Sequence, residues 1–303
     1  MANPAHPARC AASHHHAEFP PERIAAQREV SVSVCLPARD EAATIGPILD
    51  AVLPLVDAGA VDQVVVVDDS SDGTADIARA RGAEVHRQAD LRPELGAVLG
   101  KGDAMWRALE VLRGDVVAYA DADSRDLGPH FVCGLVGPLV CASEAALVKG
   151  FYRRPFEPGS GELDSEGGGR VTELTARPML AAFYPELASV RQPLAGEAAA
   201  RRELLESLPF TTGYGVDVGL LIDAYARCGI EGIVQVDLDQ RQNRHRPLGE
   251  LGPMAAAVVD AIVSRLRRDG RLTGALGGDA LSELMPLAVE RPPAVLLPAG
   301  VSG

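Results

Sequence analysis

The chain lacks the features that mark secreted, zinc-binding or membrane-spanning proteins. Its five cysteines are an odd number, widely spaced and without a CxxC pair, which argues against a disulfide framework or a zinc site. No uninterrupted apolar run reaches the roughly 18 residues that a membrane span needs. The N-terminus also has no basic segment followed by an apolar one, as a signal peptide has. We therefore expect a protein of the reducing cytoplasm that has no membrane partner.

Basic residues are scarce as well. The chain has 29 Lys and Arg residues against 42 Asp and Glu residues, and its formal net charge is -13. Proteins that bind nucleic acid present a basic patch, and none stands out in the sequence, so no nucleic acid partner is expected. A phosphorylated substrate would instead require a local group of basic side chains.

Three common phosphate-handling motifs are missing. A Walker A loop needs Ser or Thr after its lysine, whereas Lys101 is followed by Gly102. No G-x-G-x-x-G follows the first predicted strand, which runs into "LPARDE". The stretch "SSDGT" has Ser70 where a haloacid-dehalogenase-like phosphatase carries its nucleophilic Asp. ATPase, dehydrogenase and phosphatase chemistry are therefore not supported, and Lys101 is either a point charge for a diphosphate or an exposed lysine before a helix.

The chain does contain a regular alternation of apolar strands and amphipathic helices. The segments "VSVSVCLPA", "VDQVVVVDD" and "DVVAYADAD" have the pattern of buried strands, with helical spacing between them. Asp40 is predicted to cap the helix "EAATIGPILDAVLPLV", and Gly114 to close the helix "GDAMWRALEVLRG". This order predicts an α/β protein with a mostly parallel sheet, which binds its ligand beyond the carboxyl ends of the strands.

Composition divides the chain into four parts. Residues 1–29 are rich in Ala, Pro and His without apolar periodicity, and we predict a flexible N-terminal arm. Its histidines 14–16 could bind a metal ion, but a solvated tail is the favoured interpretation, and no function is assigned to them. Residues 30–150 carry the alternating pattern described above. Residues 151–285 are expected to complete the same sheet and to supply the pocket for a second substrate. Residues 286–303 are predicted to form a C-terminal tail.

Two carboxylates follow the third predicted strand. Asp121 and Asp123 are two residues apart, so on an extended chain their side chains point the same way. Two close carboxylates repel each other unless a cation lies between them, and Mg2+ or Mn2+ accepts such oxygen ligands. The alternative is a pair of solvated carboxylates in a surface loop. A second acidic strand end, Asp68 and Asp69, favours a site.

The motifs taken together resemble a known enzyme family. "VCLPARDEAATIG", "VVVVDDSSDGTADIA", "GKGDAMWRAL" and "VAYADAD" resemble the nucleotide-sugar half of GT-A glycosyltransferases, which have a Rossmann-like, mostly parallel sheet flanked by helices. "GGGRVTELTARPML", "PLAGEAAARRELLESLPF", "GYGVDVGLLID" and "RPLGELGPMA" narrow the resemblance to glucosyl-3-phosphoglycerate synthases, a family of retaining enzymes. The resemblance covers roughly residues 30–270. It implies that glucose moves from UDP-glucose to the 2-hydroxyl of 3-phosphoglycerate, with Mg2+ or Mn2+, in a homodimer.

The resemblance also assigns residues to roles. The donor-binding set is Pro37, Ala38, Arg39, Asp40, Glu41, Ser70, Lys101 and Asp121. The acceptor-binding set is Gly168, Gly169, Arg170, Thr172, Asn243 and His245. Asp121, Lys101 and Asp217 are the implied catalytic residues, and Asp123 and His245 the implied metal ligands.

The chain departs from the family pattern at three places. Asp40 stands where the family usually has Asn, and Asp217 where it generally has Glu. Family members of one type read His, Arg, Asn where this chain reads Asn243, Arg244 and His245. Imidazole chemistry favours His245 as the third metal ligand, whereas alignment favours Asn243.

Two other functions stay open from the sequence. The first is a related transferase that uses GDP-mannose as donor or another small acid as acceptor. The second is a sugar-nucleotide-binding protein with an impaired active site, which the departures from the family pattern suggest.

Overall fold

The computed structural model describes residues 10–141, 144–155, 169–241, 248–273 and 289–297. Within these ranges the strands are β1 (Ala12–His15), β2 (Val32–Ala38), β3 (Gln63–Asp68), β4 (Glu84–Arg87), β5 (Val116–Tyr119), β6 (Leu147–Arg153), β7 (Ala198–Arg201), β8 (Phe210–Thr211), β9 (Ile233–Gln240) and β10 (Glu290–Arg291). The helices in the same ranges are α1 (Pro21–Gln27), α2 (Ile45–Val52), α3 (Pro54–Asp57), α4 (Thr74–Ala80), α5 (Lys101–Ala108), α6 (Pro129–Cys141), α7 (Arg177–Phe183), α8 (Arg202–Ser207), α9 (Val216–Cys228) and α10 (Leu248–Arg268).

The described strands form one large sheet in the order β1-β9-β6-β7-β5-β2-β3-β4, and β8 pairs with β10 in a separate antiparallel ribbon. Within the large sheet, β7 runs antiparallel to its neighbours β5 and β6, and every other pair is parallel. The predicted mostly parallel α/β sheet is confirmed. Strands from the second half of the chain complete this sheet, as we expected.

Alternating side chains on the central strands build two apolar cores, one on each face of the sheet. On β2, Val34 and Leu36 belong to a cluster that includes Phe131 of α6, whereas Cys35 belongs to a cluster that includes Met105 of α5. This is the period-2 alternation of an extended strand that is buried on both sides. Burial of each large apolar side chain stabilises the fold by about 1.5–3 kcal/mol, so the sheet is a rigid base for the loops at its edge.

The prediction of a flexible N-terminal arm is wrong for the residues that the structure describes. Residues 12–15 form β1, which pairs in parallel with β9, so that His14 lies opposite Val236. Phe19 and Ile24 follow and are buried. Strand pairing satisfies the backbone groups at the exposed edge of β9, and these two side chains add apolar contact. A segment rich in Ala, Pro and His gave no periodic signal of either interaction.

The C-terminal tail is also partly folded. Residues 290–291 form β10 against β8, and the buried guanidinium of Arg291 donates to Asp103 Oδ1 of α5 at 2.6 Å. Trp106 of the same helix donates its indole N–H to the carbonyl of Pro292 at 2.9 Å. These contacts attach the segment to the domain, whereas the sequence predicted a separate tail. The strand was missed because two residues are too few to show a periodic pattern.

Two predicted helix boundaries are wrong. The helix expected to follow Asp40 begins only at Ile45, and Asp40 has a left-handed backbone with φ of 56°. The helix expected to close at Gly114 ends at Ala108. Among the described helices, none combines the length and the apolar composition that crossing a membrane requires.

Candidate active site

A cavity of about 490 Å³ lies beyond the carboxyl ends of β2, β3 and β5. These three strands are parallel neighbours, so the loops that follow them open on one edge of the sheet. The predicted site residues that line the cavity are Pro37, Ala38, Arg39, Glu41, Lys101, Asp121, Asp123, Gly169, Arg170, Thr172 and Asp217. The fold therefore brings residues from distant parts of the chain into one pocket.

Asp40 and Ser70 join the loops after β2 and β3, and neither is among the described residues that line the cavity. The backbone N–H of Asp40 donates to Ser70 Oγ at 2.8 Å, and Asp40 Oδ1 accepts from the backbone N–H of Ser71 at 2.8 Å. The side chain thus braces the loop after β2 against the loop after β3. An Asn side-chain oxygen can accept the same hydrogen bond, so this contact is compatible with either residue. Direct contact of Asp40 and Ser70 with a donor stays a prediction.

Lys101 bridges two carboxylates at the floor of the cavity. It is the first residue of α5, and its Nζ lies 2.7 Å from Asp121 Oδ1 and 3.3 Å from Asp217 Oδ2. Gly100, with φ of 86°, gives the chain the left-handed turn that precedes this helix. Asp217 lies in the first turn of α9. Lys101 therefore contacts both of the other residues that the resemblance named as catalytic.

The charges in this trio shift the pKa values in different directions. Burial opposes the charge on Lys101, but Asp121 and Asp217 outweigh it and raise the pKa of the ammonium. Burial likewise opposes the charge on Asp121, yet Lys101 and Arg241 hold the pKa of this carboxyl well below its usual range. For Asp217, burial outweighs Lys101 and Lys149, and the pKa is raised. Asp121 is thus the more firmly ionised of the two carboxylates.

Arg241 contacts both Asp121 and Asp123, and it is not among the site residues predicted from the sequence. Its Nη2 lies 2.6 Å from Asp123 Oδ1, and its Nη1 lies 3.3 Å from Asp121 Oδ2. Nη1 also lies 2.9 and 3.1 Å from the two oxygens of the buried Glu197, and 2.8 Å from the hydroxyl of Tyr152. Arg241 directly follows β9, so its position at a strand's carboxyl end was the signal that could have identified it.

Lys149 is a second buried cation that the sequence did not reveal. It lies in the interior of β6, donates to the carbonyl of Ala195 and has its Nζ 4.0 Å from Asp217 Oδ1. Burial outweighs the nearby carboxylates and lowers the pKa of Lys149. The sequence signal was a lysine within a strand of apolar residues. A buried ammonium needs hydrogen-bonding or charged partners, so such a lysine indicates a polar cluster nearby.

Glu41 and Asp123 add to the concentration of negative charge around Asp121. Burial, reinforced by the charge of Asp123, raises the pKa of Glu41. Burial and the charge of Asp121 raise the pKa of Asp123, although Arg241 acts against them. Burial and mutual repulsion both oppose ionisation of these carboxylates, and a bound divalent cation would offset the repulsion. The described oxygens therefore fit a hard metal ion.

The cavity lining also contains basic side chains. Arg154 of the loop after β6 and Arg170 line the cavity together with Gly169 and Thr172. Gly169 has φ of 79°, which favours glycine, and Thr172 opens a π-helical turn that leads into α7. Short π-helical segments are frequent at functional sites. Two guanidinium groups and a hydroxyl provide donors for an anionic ligand.

Three predicted site residues, Gly168, Asn243 and His245, lie outside the described residues. Their roles in acceptor binding and metal ligation stay predictions. Asn243 follows Arg241 by two residues, so the described chain leads to this segment directly from the cavity.

Comparison with known proteins agrees with this geometry. Residues 33–162 match the family Glycosyl transferase family 2. The glucosyl-3-phosphoglycerate synthase of Mycolicibacterium paratuberculosis is 49% identical over 247 residues, which cover 80% of this chain and 75% of the relative. The enzyme of the same name from Petrotoga mobilis is 39% identical over 94% of both chains.

Two solved structures have the same fold. The mannosyl-3-phosphoglycerate synthase of Rubrobacter xylanophilus has a TM-score of 0.87 at 43% identity and covers 94% of this chain and 97% of its own. The glucosyl-3-phosphoglycerate synthase of Mycobacterium tuberculosis, in complex with Mn2+, UDP-glucose and phosphoglyceric acid, has a TM-score of 0.83 at 42% identity, with 94% and 98% coverage. The chain is a GT-A glycosyltransferase that belongs to the glucosyl-3-phosphoglycerate synthase family.

Proposed function

We propose that the protein transfers glucose from UDP-glucose to the 2-hydroxyl of 3-phosphoglycerate with retention at the anomeric carbon. The observation that carries this proposal is the lining of the cavity, which combines the carboxylates of Asp121 and Asp123 with the guanidinium groups of Arg154 and Arg170. The acceptor has a phosphate and a carboxylate, and a chain with net charge -13 can attract it only through such a local group of cations.

The donor is proposed to occupy the acidic side of the cavity. Pro37, Ala38 and Arg39 line this side at the end of β2, where the uridine would lie. The tuberculosis relative is described in complex with Mn2+ and UDP-glucose, and we propose Mg2+ or Mn2+ here, held by Asp123 with a ligand from the segment that contains Asn243 and His245. When bound, the ion supplies positive charge to the departing diphosphate.

Lys101 and Asp217 are proposed to act at the reacting centre. Lys101 lies beside Asp121, so its ammonium can stabilise the charge that develops on the leaving phosphate. Asp217 is held by Lys101 and is proposed to orient the attacking hydroxyl of the acceptor. Its raised pKa makes it a better proton acceptor than Asp121.

Retention is proposed to proceed by attack from the face that the diphosphate leaves. A covalent route needs a carboxylate nucleophile next to the anomeric carbon. Asp121 is paired with Lys101 and Arg241, and both contacts reduce the nucleophilicity of its oxygens. This pairing supports the front-face route.

The Rubrobacter relative motivates one alternative donor. That protein is named mannosyl-3-phosphoglycerate synthase, and its structure has a TM-score of 0.87 to this one. A GDP-mannose donor is therefore the second candidate for the same cavity.

One assay separates these possibilities. The protein is incubated with UDP-glucose or GDP-mannose, with and without 3-phosphoglycerate, and nucleotide release is measured in the presence of Mg2+ or Mn2+. We expect UDP release that depends on the acceptor, and an α-linked product by NMR. GDP release at a higher kcat/KM would select the mannosyl alternative, and tight UDP-glucose binding without turnover would indicate an impaired enzyme. Asp76→Ala, on the exposed face of α4, is the control and should keep full activity.

A homodimer is also proposed. Val295 and Leu296 near the C-terminus are exposed apolar side chains, and burial in a subunit interface would remove them from water. Light scattering coupled to size exclusion should give twice the chain mass of 31.7 kDa, and Leu296→Asp should shift the protein toward monomer.

The protein is proposed to act in the cytoplasm. All five cysteines are free thiols, and Cys35 and Cys133 are buried. Thiols persist in a reducing compartment.

A further inference from the structure

A cluster of two histidines and one aspartate lies outside the cavity, at the outer edge of the sheet. His15 is the last residue of β1, and His16 follows it in a short helical turn. Asp239 is near the end of β9, the strand with which β1 pairs. The cluster therefore forms where the N-terminal strand meets the strand that delivers Arg241 to the active site.

The two imidazoles converge on the same carboxylate. His16 Nε2 lies 2.6 Å from Asp239 Oδ2, and His15 Nε2 lies 3.4 Å from Asp239 Oδ1. One potential ligand atom from each of the three residues falls within 4.8 Å of the other two. The rings of His15 and His16 are 4.4 Å apart. A simple hydrogen bond between a histidine and Asp239 would need only one of these two histidines.

The backbone and neighbouring rings hold this arrangement in place. Asp239 has a left-handed φ of 66°, and its N–H donates to Asp237 Oδ1 at 3.0 Å. This contact holds the backbone from which the Asp239 side chain projects. His130 of α6 packs against His16 with 4.7 Å between ring centroids, which leaves the His16 side chain only 17% exposed. His16 is therefore restricted to orientations that face Asp239.

We propose that His15, His16 and Asp239 form a binding site for a borderline transition-metal ion of the Zn2+ type, separate from the catalytic site. Two neutral imidazoles and one carboxylate match the ligands that Zn2+ takes, with water at the fourth position. Mg2+ prefers oxygen ligands in octahedral geometry, so this set discriminates against the hard ion of a glycosyltransferase site. The ion would take the place of the proton shared by His16 and Asp239, and that proton would be released to solvent.

A metal at this site would act on the structure rather than on the reaction. It would link residues 15 and 16 to the end of β9, two residues before Arg241. Binding to the folded state alone stabilises that state. The proposed site therefore braces the strand that positions the arginine between Asp121 and Asp123.

The test measures Zn2+ binding directly. Metal-free protein in excess Mg2+, which fills oxygen-ligand sites, is titrated with Zn2+ against a chromophoric chelator, and Co2+ is added in parallel for its visible spectrum. We expect one Zn2+ per chain, a four-coordinate Co2+ spectrum and a higher thermal unfolding temperature with Zn2+. His16→Gln and Asp239→Asn should each weaken Zn2+ binding by at least about tenfold, as loss of a metal's supporting groups typically does. Asn tolerates the left-handed backbone at position 239, so this variant keeps the fold.

His86→Gln provides a matched control. His86 Nε2 lies 2.9 Å from Glu84 Oε1, which is a histidine–carboxylate pair on β4, at the other edge of the sheet. This variant should bind Zn2+ as the wild-type protein does. The proposal is overturned if wild-type protein binds no Zn2+, or if wild type, His16→Gln and Asp239→Asn bind it equally. Both results can be read without assaying glucosyl transfer, so the test is independent of the proposed function.

Discussion

The guanidinium of Arg241 lies 2.6 Å from the carboxylate of Asp123. The same group contacts Asp121 on one side and the fully buried Glu197 on the other. A cation from the chain itself thus fixes the two acids that would meet the donor. Nη2 of Arg241 donates to Oδ1 of Asp123, and Oδ2 of Asp123 takes no part in this contact. These internal charge pairs hold the side chains of the site in place, which reduces the reorganisation needed when substrates bind.

Arg241→Gln is expected to destabilise the fold as well as to reduce activity. The substitution leaves Glu197 buried beside Tyr152 without its cationic partner, and breaking a buried pair in this way costs about 3–5 kcal/mol. Urea denaturation measures the loss. Arg79→Gln removes an exposed ion pair with Asp76 and should change the free energy of unfolding by less than about 0.5 kcal/mol. Equal unfolding midpoints for the two variants would contradict the assigned network.

Asp123 gives the metal-free protein a pH-dependent stability. The pKa of its carboxyl is raised in the folded state, so the folded protein binds more protons than the unfolded one. The contribution to stability is complete below the ordinary value of 3.8 and is lost as pH rises through the raised pKa. Asp123→Asn removes this dependence. Relative to wild type, its free energy of unfolding should therefore increase as pH rises above that value, so that the variant gains stability relative to wild type.

Metal should reverse this difference between Asp123→Asn and the wild type. Mn2+ is expected to raise the unfolding temperature of wild-type protein at neutral pH more than that of the variant, because an ion that binds the ionised carboxylate stabilises the folded state. Asp123→Ala should lose metal-dependent UDP release. If this variant kept full activity, Asp123 would not be a metal ligand.

Lys101→Met should reduce kcat by about 10²–10³-fold, the usual effect of removing one group that stabilises a developing charge. The methionine keeps much of the side-chain volume but leaves Asp121 and Asp217 without the ammonium that joins them. Steady-state kinetics with UDP-glucose and 3-phosphoglycerate measure the change. Arg113→Met, which removes an exposed cation paired with Glu84, serves as the control. A fall in kcat of less than threefold would assign Lys101 a structural role.

The sequence predicted the strands that carry the site better than the contacts within it. β2, β3 and β5 were predictable because buried parallel strands are apolar runs followed by polar loops. Lys101, Asp121 and Asp217 were identified by resemblance, but their mutual contacts depend on how α5 and α9 pack. Lys149 and Glu197 lie inside apolar segments, and a single polar residue there does not show which partner it meets. β1 escaped prediction because its pairing depends on the edge of a strand more than 200 residues away.

Arg170→Ala is expected to impair use of the acceptor more than use of the donor. Arg170 lines the cavity and precedes the π-helical turn that begins at Thr172. The KM for 3-phosphoglycerate should rise at least about tenfold, consistent with loss of a charge-assisted hydrogen bond of about 1.5–3 kcal/mol. Slow hydrolysis of UDP-glucose without acceptor should change little. Thr172→Val, which removes a hydroxyl and keeps the shape, should give a smaller effect of the same kind, and equal losses in both reactions would place Arg170 on the donor side.

Gly196 tests whether the position of Asp121 is required for activity. A methyl group added to Gly196 would overlap both carboxylate oxygens of Asp121, so Gly196→Ala must push that side chain away. The displaced carboxylate would lose its 2.7 Å contact with Lys101, and we expect activity to fall at least about 100-fold, as a displacement of about 1 Å can cause. Gly73→Ala adds a methyl group that meets only Ile77, at an ordinary distance, and should retain activity. Activity of Gly196→Ala near that of Gly73→Ala, with both proteins folded by circular dichroism, would show that transfer does not depend on where the Asp121 carboxylate lies.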